Sequence, residues 1–240
     1  MLEGLYTAAA GMAAQEQRLD ALSNDIANVN TAGYKRVRIG FRDLVYQQDS
    51  RSGVRTGSGA AVTQLGRGSE QGSFQDTGNP LDLAIAGDGY FQVRRADGRI
   101  ALTRQGSFTV DNRRQLVNAQ GERLVPPIFI PRGVDLAKVS ITRDGTVTAA
   151  GRRVGRIQLV TVPAPNGLLP AGDNDYLPTA ASGAVRRAGG TITQGVLESS
   201  NVDLADAMVD MMDAQRSYSM ASKAIGMQDK MMEIANGLKS

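Results

Sequence analysis

At 240 residues the chain can form one large domain or two small ones, and 28 glycines with only 5% aromatic residues predict many turns around a lean core. The sequence contains no cysteine and no histidine, which excludes disulfides, thiol nucleophiles, imidazole bases and nearly every zinc or haem ligand set. The net charge of +3 is unevenly distributed, because residues 1–33 and 198–240 each carry −3 while the middle, with 22 basic against 13 acidic residues, carries +9.

The first segment, residues 2–30, is predicted to form a helix with an apolar stripe. Residues recurring every seven positions are Leu5, Met12, Leu19 and Ile26, accompanied by Ala8, Leu22 and Val29. This heptad spacing is typical of a helix that packs along another helix. The helix is expected to end between Ala27 and Asn30, where a run of cap and turn residues leads to Gly33. No cleaved signal peptide is expected, since the alanine-rich start lacks a basic region and carries Glu3.

Two segments lead from this helix into the middle of the chain. Residues 34–46 alternate apolar and basic side chains and are predicted to be extended. Residues 47–72 are polar and rich in Gly, Ser and Gln, which predicts a loop or flexible arm.

The middle of the chain, residues 72–195, is predicted to be a β domain of short antiparallel strands. Asp-Gly dipeptides between alternating runs are a strong hairpin signal. The predicted hairpins pair Tyr90–Arg95 with Arg99–Arg104 across Asp97-Gly98 and Val139–Arg143 with Thr146–Thr148 at Asp144-Gly145, and a third pairs Phe108–Val110 with Leu116–Val117 through Asp111-Asn112. Leu81–Ala86, with alternating burial, and Arg156–Val162 are predicted to be further strands, before a proline-rich connection. This spacing predicts a small sandwich or barrel-like domain.

The last segment, residues 198–240, is predicted to be a long helix capped by Ser200 or Asn201. Its large apolar residues recur at strict sevens, at Leu204, Met211, Tyr218, Ile225 and Met232. Three residues after each come Ala207, Ala214, Ala221, Gln228 and Ala235, and the small alanines imply close helix approach. The predicted domains are therefore residues 1–33, 34–71, 72–195 and 196–240.

No enzyme signature is present. Gly87-Asp88-Gly89 begins like a dinucleotide motif, but Gln92 stands where the third glycine belongs, so a hairpin corner is the better interpretation. Aspartates on one face of the last helix are interpreted as an exposed acidic face, and its methionines as packing residues. We therefore predict no catalytic, cofactor-binding or metal site, no nucleic-acid binding, because the arginines lack interleaved aromatics, and no membrane insertion.

The predicted fold is α+β, with N- and C-terminal helices pairing as a coiled coil and a central antiparallel β domain inserted between them. A seam of two helices leaves apolar surface unburied, and repeated head-to-tail contacts between subunits bury it in a helical filament or tube. The architecture therefore predicts assembly rather than catalysis.

Specific residues resemble the bacterial flagellar basal-body rod and hook protein family. Similar motifs are Ser23–Lys35, the runs 72–74, 79–85, 87–91 and 103–108, and Ser200–Leu204 continuing to Ala214–Tyr218. These motifs occur in the family's order and span nearly the whole chain.

The resemblance implies a non-enzymatic structural subunit of the flagellar basal body. Family members are exported uncleaved through the flagellar type III apparatus and polymerise in the periplasm into a tube, with the terminal helices inside and the β domain outside. The implied partners are further copies of the chain, adjacent rod and hook proteins, the export apparatus and the ring proteins that form a bushing. The implied subunit-assembly residues are Leu5, Met12, Leu19, Leu22, Ile26, Asn28, Asn30, Gly33, Asn201, Leu204, Met211, Tyr218, Ile225 and Met232.

Within the family, the length and central motifs are most similar to the distal rod protein and to one proximal rod protein, and the distal type is favoured. The short segment 47–72 leaves a proximal rod subunit as an alternative. A second alternative is a non-flagellar module that presents a β domain on a helical stalk to bind a surface polymer such as peptidoglycan.

Overall fold

The computed structural model describes residues 2–44, 47–48, 55–56 and 59–237. These residues divide into two compact units. The first draws on the chain up to Ala27, on Val37–Leu65 and on residues from Asp203 onward, and the second consists of Asn28–Arg36 and Gly66–Val202. The predicted fold class is confirmed, because the N- and C-terminal helices contact each other and antiparallel strands lie between them in the sequence.

The first unit contains the two long helices. Helix α1 ends at Ala27, as predicted, and helix α2 begins at Leu204. Its elements are α1 (Leu2–Ala27), β1 (Val37–Asp43), β2 (Gln47–Gln48), β3 (Arg55–Thr56), β4 (Ala60–Arg67, which ends in the second unit) and α2 (Leu204–Gly237). None of the helices in the described ranges is long and apolar enough to cross a membrane.

The segment after β1 does not form the continuous loop predicted for residues 47–72. Strand β4 pairs with β1, and β2 pairs with β3, so the loop prediction is wrong for these residues. The glycine and polar residues of segment 47–72 favoured the prediction of a loop over that of strand β4. The pairing brings Leu65 of β4 against Gly40 of β1, where a Cβ would lie 3.0 Å from Leu65 Cδ1, so the missing side chain makes room for Leu65.

The N-terminal cap of α2 is Asp203 rather than Ser200 or Asn201. The Asp203 carboxylate accepts the backbone N–H groups of Ala205 and Asp206, at 2.8 and 3.2 Å. Asn201 is unsuited to this role, because its side-chain oxygen accepts the backbone N–H of Arg36. The cap prediction is therefore wrong by two or three residues.

The second unit contains the remaining strands and two short 3₁₀ helices, Leu136–Lys138 and Pro165–Gly167. Its strands are β5 (Phe74–Asp76), β6 (Leu83–Ala86), β7 (Phe91–Arg94), β8 (Ile100–Thr103), β9 (Phe108–Val110), β10 (Leu116–Asn118), β11 (Arg123–Val125), β12 (Val139–Ile141), β13 (Thr146–Ala149), β14 (Arg152–Arg156), β15 (Val160–Thr161), β16 (Leu169–Pro170), β17 (Asp175–Leu177), β18 (Arg186–Arg187), β19 (Thr191–Gln194) and β20 (Val196–Glu198).

The three predicted hairpins are confirmed: β7 pairs with β8, β9 with β10, and β12 with β13, all antiparallel. A seven-stranded sheet has the order β16-β17-β8-β7-β11-β10-β9, and β12-β13-β14 form a second sheet. Smaller sheets pair β6 with β19, β5 with β20 and β15 with β18. One core cluster draws residues from the large sheet and from the sheets of β12–β13 and β6–β19, and a sandwich or barrel-like arrangement stays a prediction.

Two strand predictions differ in detail. The run Arg156–Val162 is divided, because β14 ends at Arg156 in the three-stranded sheet and β15 pairs elsewhere, with β18. Leu81–Ala86 does not alternate, since all residues from Leu81 to Ile85 are buried. Because neither face of this strand is exposed to solvent, the side chains on both faces are apolar or form hydrogen bonds, and the sequence does not alternate.

The core of the second unit lies against the large sheet. Alternation places Phe91 and Val93 of β7 inward while Arg94 remains exposed. The Phe91 and Phe108 rings meet edge to face at 5.3 Å. Their cluster also includes Leu83, Ile85, Leu116, Leu124, Ile128, Ile130, Val147 and Ile192, each at most 2% exposed.

Candidate assembly interface

The predicted seam of α2 faces α1 within the first unit. Ala207 and Ala214 are 1% and 0% exposed, as close helix approach at small residues requires. The large residues of the seam that are half-buried are Met211, Tyr218, Ile225 and Met232. Leu204, the first of the series, is 41% exposed, and the side chain of Ala235 lies outside the described residues.

The inward face of α1 matches the predicted stripe fully only at Leu22. Its most buried side chains are Ala14, Leu22 and Asp25. The predicted residues Leu5, Met12, Leu19 and Ile26 are half-buried, so they lie at the edge of this face.

One ion pair joins the two helices. Arg18 of α1 lies 3.1 Å from Asp210 of α2, with both side chains partly exposed. The same guanidinium lies 6.0 Å from the centre of the Phe41 ring in β1. Arg18 therefore contacts three elements of this unit.

A second apolar line follows α2 outside the seam. Met220, Met227 and Ile234 are spaced seven residues apart and are 64%, 61% and 65% exposed. Each lies two positions after one of the seam residues Tyr218, Ile225 and Met232. Two positions turn about 200° around the helix, so this line lies on the side of α2 opposite to those seam residues. Further exposed apolar residues on α2 are Met208, Val209, Met212 and Met231. Isolated soluble helices rarely expose so many large apolar side chains, so this side of α2 is suited to another helix.

The predicted residues after α1 form a tight turn in the second unit. Gly33 has φ +72°, and a Cβ there is 2.8 Å from the Arg104 carbonyl carbon and oxygen, so only glycine fits. Its N–H donates to the Glu198 carbonyl at 2.7 Å. Asn28 accepts the Thr31 hydroxyl at 3.2 Å, and Asn30 is exposed.

Asn201, which lies shortly before α2, forms hydrogen bonds with the segment that follows the Gly33 turn. Its side-chain oxygen accepts the Arg36 N–H at 2.7 Å, and its amide donates to the Glu70 carbonyl at 3.1 Å. Asn201 therefore contacts the segment that follows the Gly33 turn, and both residues belong to the second unit, whereas the seam residues belong to the first.

Sequence reasoning missed a buried ionic cluster beside this turn. The carboxylate of Glu198, fully buried, lies 2.5 Å from Lys35 Nζ and 3.2 Å from a guanidinium nitrogen of Arg104. It also accepts the Gly72 N–H at 3.0 Å. The only signal in the sequence was that Lys35 and Glu198 adjoin the two terminal motifs.

The charged side chains of this cluster also form hydrogen bonds with backbone carbonyl groups. Lys35 also donates to the Glu70 carbonyl at 2.7 Å, and Arg104 to the Gly87 carbonyl at 3.0 Å. Burial lowers the pKa of the Lys35 ammonium, while the hydrogen bond to Glu198 acts in the opposite direction. With partners on all sides, these groups fix the course of the backbone.

Nothing in the described part of the chain groups three or more acidic side chains as metal ligands do. The fold and the interface define a class of protein in which two terminal helices pair and one of them keeps a second apolar line exposed.

Comparison with known proteins identifies the family. Three family profiles match, described as "Flagella basal body rod protein" (residues 5–35), "Flagellar hook protein FlgE/F/G D1 domain" (84–149) and "Flagellar basal body rod FlgEFG protein C-terminal" (193–238). Proteins named "Flagellar basal-body rod protein FlgG" are similar over the full chain. That of Borreliella burgdorferi is 38% identical over 100% of this chain and 99% of the relative. Those of Caulobacter vibrioides and Bacillus subtilis are 37% and 38% identical, over 100% of both chains in each case. The chain belongs to the flagellar basal-body rod protein family.

Proposed function

We propose that this chain is a non-enzymatic structural subunit of the flagellar rod, of the distal type, which polymerises through its terminal helices into a helical tube. The observation that carries the proposal is the second apolar line of α2. Met220, Met227 and Ile234 are each more than 60% exposed, although α1 already covers the opposite side of the helix. A helix with apolar lines on two sides is suited to two neighbours, and a single chain supplies one.

The location in the basal body is supported by the full-length similarity to relatives named as basal-body rod proteins, and the distal type is proposed from the length and central motifs of the sequence. The partners we propose are further copies of this chain, adjacent rod and hook proteins, the type III export apparatus and the surrounding ring proteins. The proposed assembly residues are those of the α1–α2 seam together with Asn28, Asn30, Gly33 and Asn201 of the second unit.

Replacing two residues of the second line tests the proposal. We expect Met220→Glu with Met227→Glu to abolish swimming in a flagellated strain whose own rod gene is replaced by this chain, because buried unpaired carboxylates oppose helix packing. The matched control is Gln215→Glu with Ser222→Glu, which adds the same charges at exposed polar positions seven residues apart.

Electron microscopy of basal bodies should then show rods missing only in the first variant. Equal swimming of both variants contradicts assembly through this side of α2. Gold labelling of the wild-type chain along purified rods tests the distal position, and label confined to the end nearest the inner membrane contradicts it.

A further inference from the structure

A cleft with a volume of about 370 Å³ opens on the surface of the second unit. Its floor is apolar, formed by the buried side chains of Ile157, Leu159 and Ile192. Arginines from three separate segments, Arg143, Arg156 and Arg187, stand around it. An apolar floor with a basic rim suits a ligand that carries both apolar and anionic groups.

The guanidinium groups of two of the three arginines have no partner among the residues that the structure describes. Arg156 is engaged, since its guanidinium lies 3.7 Å from the Asp144 carboxylate and donates to the Asp144 carbonyl at 3.1 Å. Hydrogen bonds from Thr142 and Thr146 lower the pKa of Asp144 to about 2, so its charge persists. Within the described ranges, the guanidinium groups of Arg143 and Arg187 form neither a hydrogen bond nor an ion pair. They remain available to an anionic ligand.

The first turns of α2 carry the complementary groups. Four aspartates and no basic residue occur between Asp203 and Asp213. Asp206, Val209 and Asp213 are spaced by three and four residues, which places them on one face of the helix. All three are exposed, Val209 by 54%. An apolar side chain between two carboxylates therefore matches an apolar floor between two guanidinium groups.

We propose that this cleft binds the acidic face of α2 from a second copy of the chain. Asp206 and Asp213 of that copy pair with Arg143 and Arg187, and Val209 covers the floor. Because the two surfaces differ, the contact is head-to-tail and repeats from copy to copy. It also joins the basic middle of one chain to an acidic end of the next. The inference rests on the proposed function and adds the partner surface that the terminal helices alone do not specify.

Disulfide cross-linking tests the contact, because the chain has no cysteine of its own. One full-length form carries Thr191→Cys at the rim of the cleft, and another carries Met212→Cys on α2. After mixing at assembly concentrations and mild oxidation, we expect cross-linked heterodimer at about tenfold the level of a control pair. The control replaces Thr191→Cys with Ala119→Cys, an exposed turn residue elsewhere in the same unit. A yield equal to the control overturns the inference.

Charge exchange gives a second readout. Arg143→Glu with Arg187→Glu in the cleft form should reduce the cross-link to the control level, and Asp206→Arg with Asp213→Arg in the partner form should restore it. Restoration also shows that the reversed cleft is folded. Arg132→Glu with Arg152→Glu, two exposed arginines outside the cleft, should leave the yield unchanged. Loss without restoration, or no loss, contradicts the pairing.

Microscopy of the same mixtures separates this inference from the proposed function. Tubes without the specific cross-link overturn the cleft contact and leave the rod function standing. A specific cross-link without any polymer supports the cleft contact and contradicts the proposed polymerisation into a tube.

Discussion

The carboxylate of Glu198 holds together parts of the second unit that are far apart in the sequence. It shares its two oxygens between Lys35 and Arg104, and all three side chains are at most 7% exposed. Buried charges are tolerated when each has a partner, and removing one partner leaves the others uncompensated. The turn at Gly33 and the strand that leads to α2 therefore depend on this carboxylate.

We predict that Glu198→Gln lowers the free energy of unfolding of the second unit by about 3–5 kcal/mol, because Lys35 and Arg104 then share a buried site without a counter-charge. Urea denaturation followed by the near-UV circular dichroism of tyrosine measures it, since the chain has six tyrosines and no tryptophan. Asp97→Asn, which breaks an exposed ion pair with Arg99, is the control and should change little. Equal effects would contradict a structural role for the cluster.

Asp175 is a second buried carboxyl group, with a different environment. Its side-chain oxygens have no hydrogen-bond donor, and it is 1% exposed. Burial raises its pKa to about 7, helped by the neighbouring carboxylates of Glu122 and Asp173, while Arg95 acts in the opposite direction. Between pH 3.8 and about 7, the folded chain therefore keeps a proton on Asp175 that the unfolded chain has released.

This difference predicts a pH-dependent stability. From the ordinary pKa of 3.8 to about 7, the folded state binds one proton more than the unfolded state, so raising the pH lowers the free energy of unfolding. Below this range both states are protonated, and above it both are ionised. We expect Asp175→Asn, whose amide can donate to Glu122, to have a higher urea midpoint than the wild type at pH 8 and a flatter profile from pH 5. Parallel profiles for the two proteins would show that Asp175 is not the responsible group.

At the scale of elements, the alanines of α2 set how closely the helices approach. Ala214 is 0% exposed against α1, whereas Met212, two residues before it, is 49% exposed. A larger side chain at position 214 must push the helices apart, because protein interiors lack space for extra methylene groups.

We predict that Ala214→Leu destabilises the helix pair by about 1–3 kcal/mol. Met212→Leu, a conservative change at an exposed position, is the control. Thermal loss of the helical signal in far-UV circular dichroism measures both, and a lower midpoint is expected only for the first variant. An unchanged midpoint for Ala214→Leu would mean that this seam is not closely packed in solution.

The heptad repeat predicted both helices and, in α2, the side that is covered at Ala207 and Ala214, whereas in α1 the predicted residues Leu5, Met12, Leu19 and Ile26 are only half-buried. The hairpins were equally predictable, because Asp97-Gly98 and Asp144-Gly145 determine the turns locally. Gly145 has φ +84°, and a Cβ there would lie 2.3 Å from the Ile157 carbonyl oxygen. Strand β4 (AAVTQLGR) was missed because its few apolar residues do not alternate regularly and lie within a segment rich in Gly, Ser and Gln. The Glu198 cluster was missed because its partners, Lys35 and Arg104, are brought together only by the fold.

For the whole molecule, the opposite charges and the two apolar lines of α2 have one common explanation. The ends of the chain are acidic and its middle is basic, and Met220, Met227 and Ile234 are exposed among the residues that the structure describes. Both features are accounted for by repeated contacts in a helical polymer. Supercoiling of the helix pair stays a prediction of the heptad spacing.

The most direct test of the rod assignment is an electron microscopy reconstruction of basal bodies purified from cells that carry this chain as their only copy of the rod gene. The account predicts a tube whose inner wall consists of α1 and α2, with the second apolar line of each α2 covered by a neighbouring helix and the β region outside. A tube lined by the β region, or a rod from which this chain is absent, would contradict it.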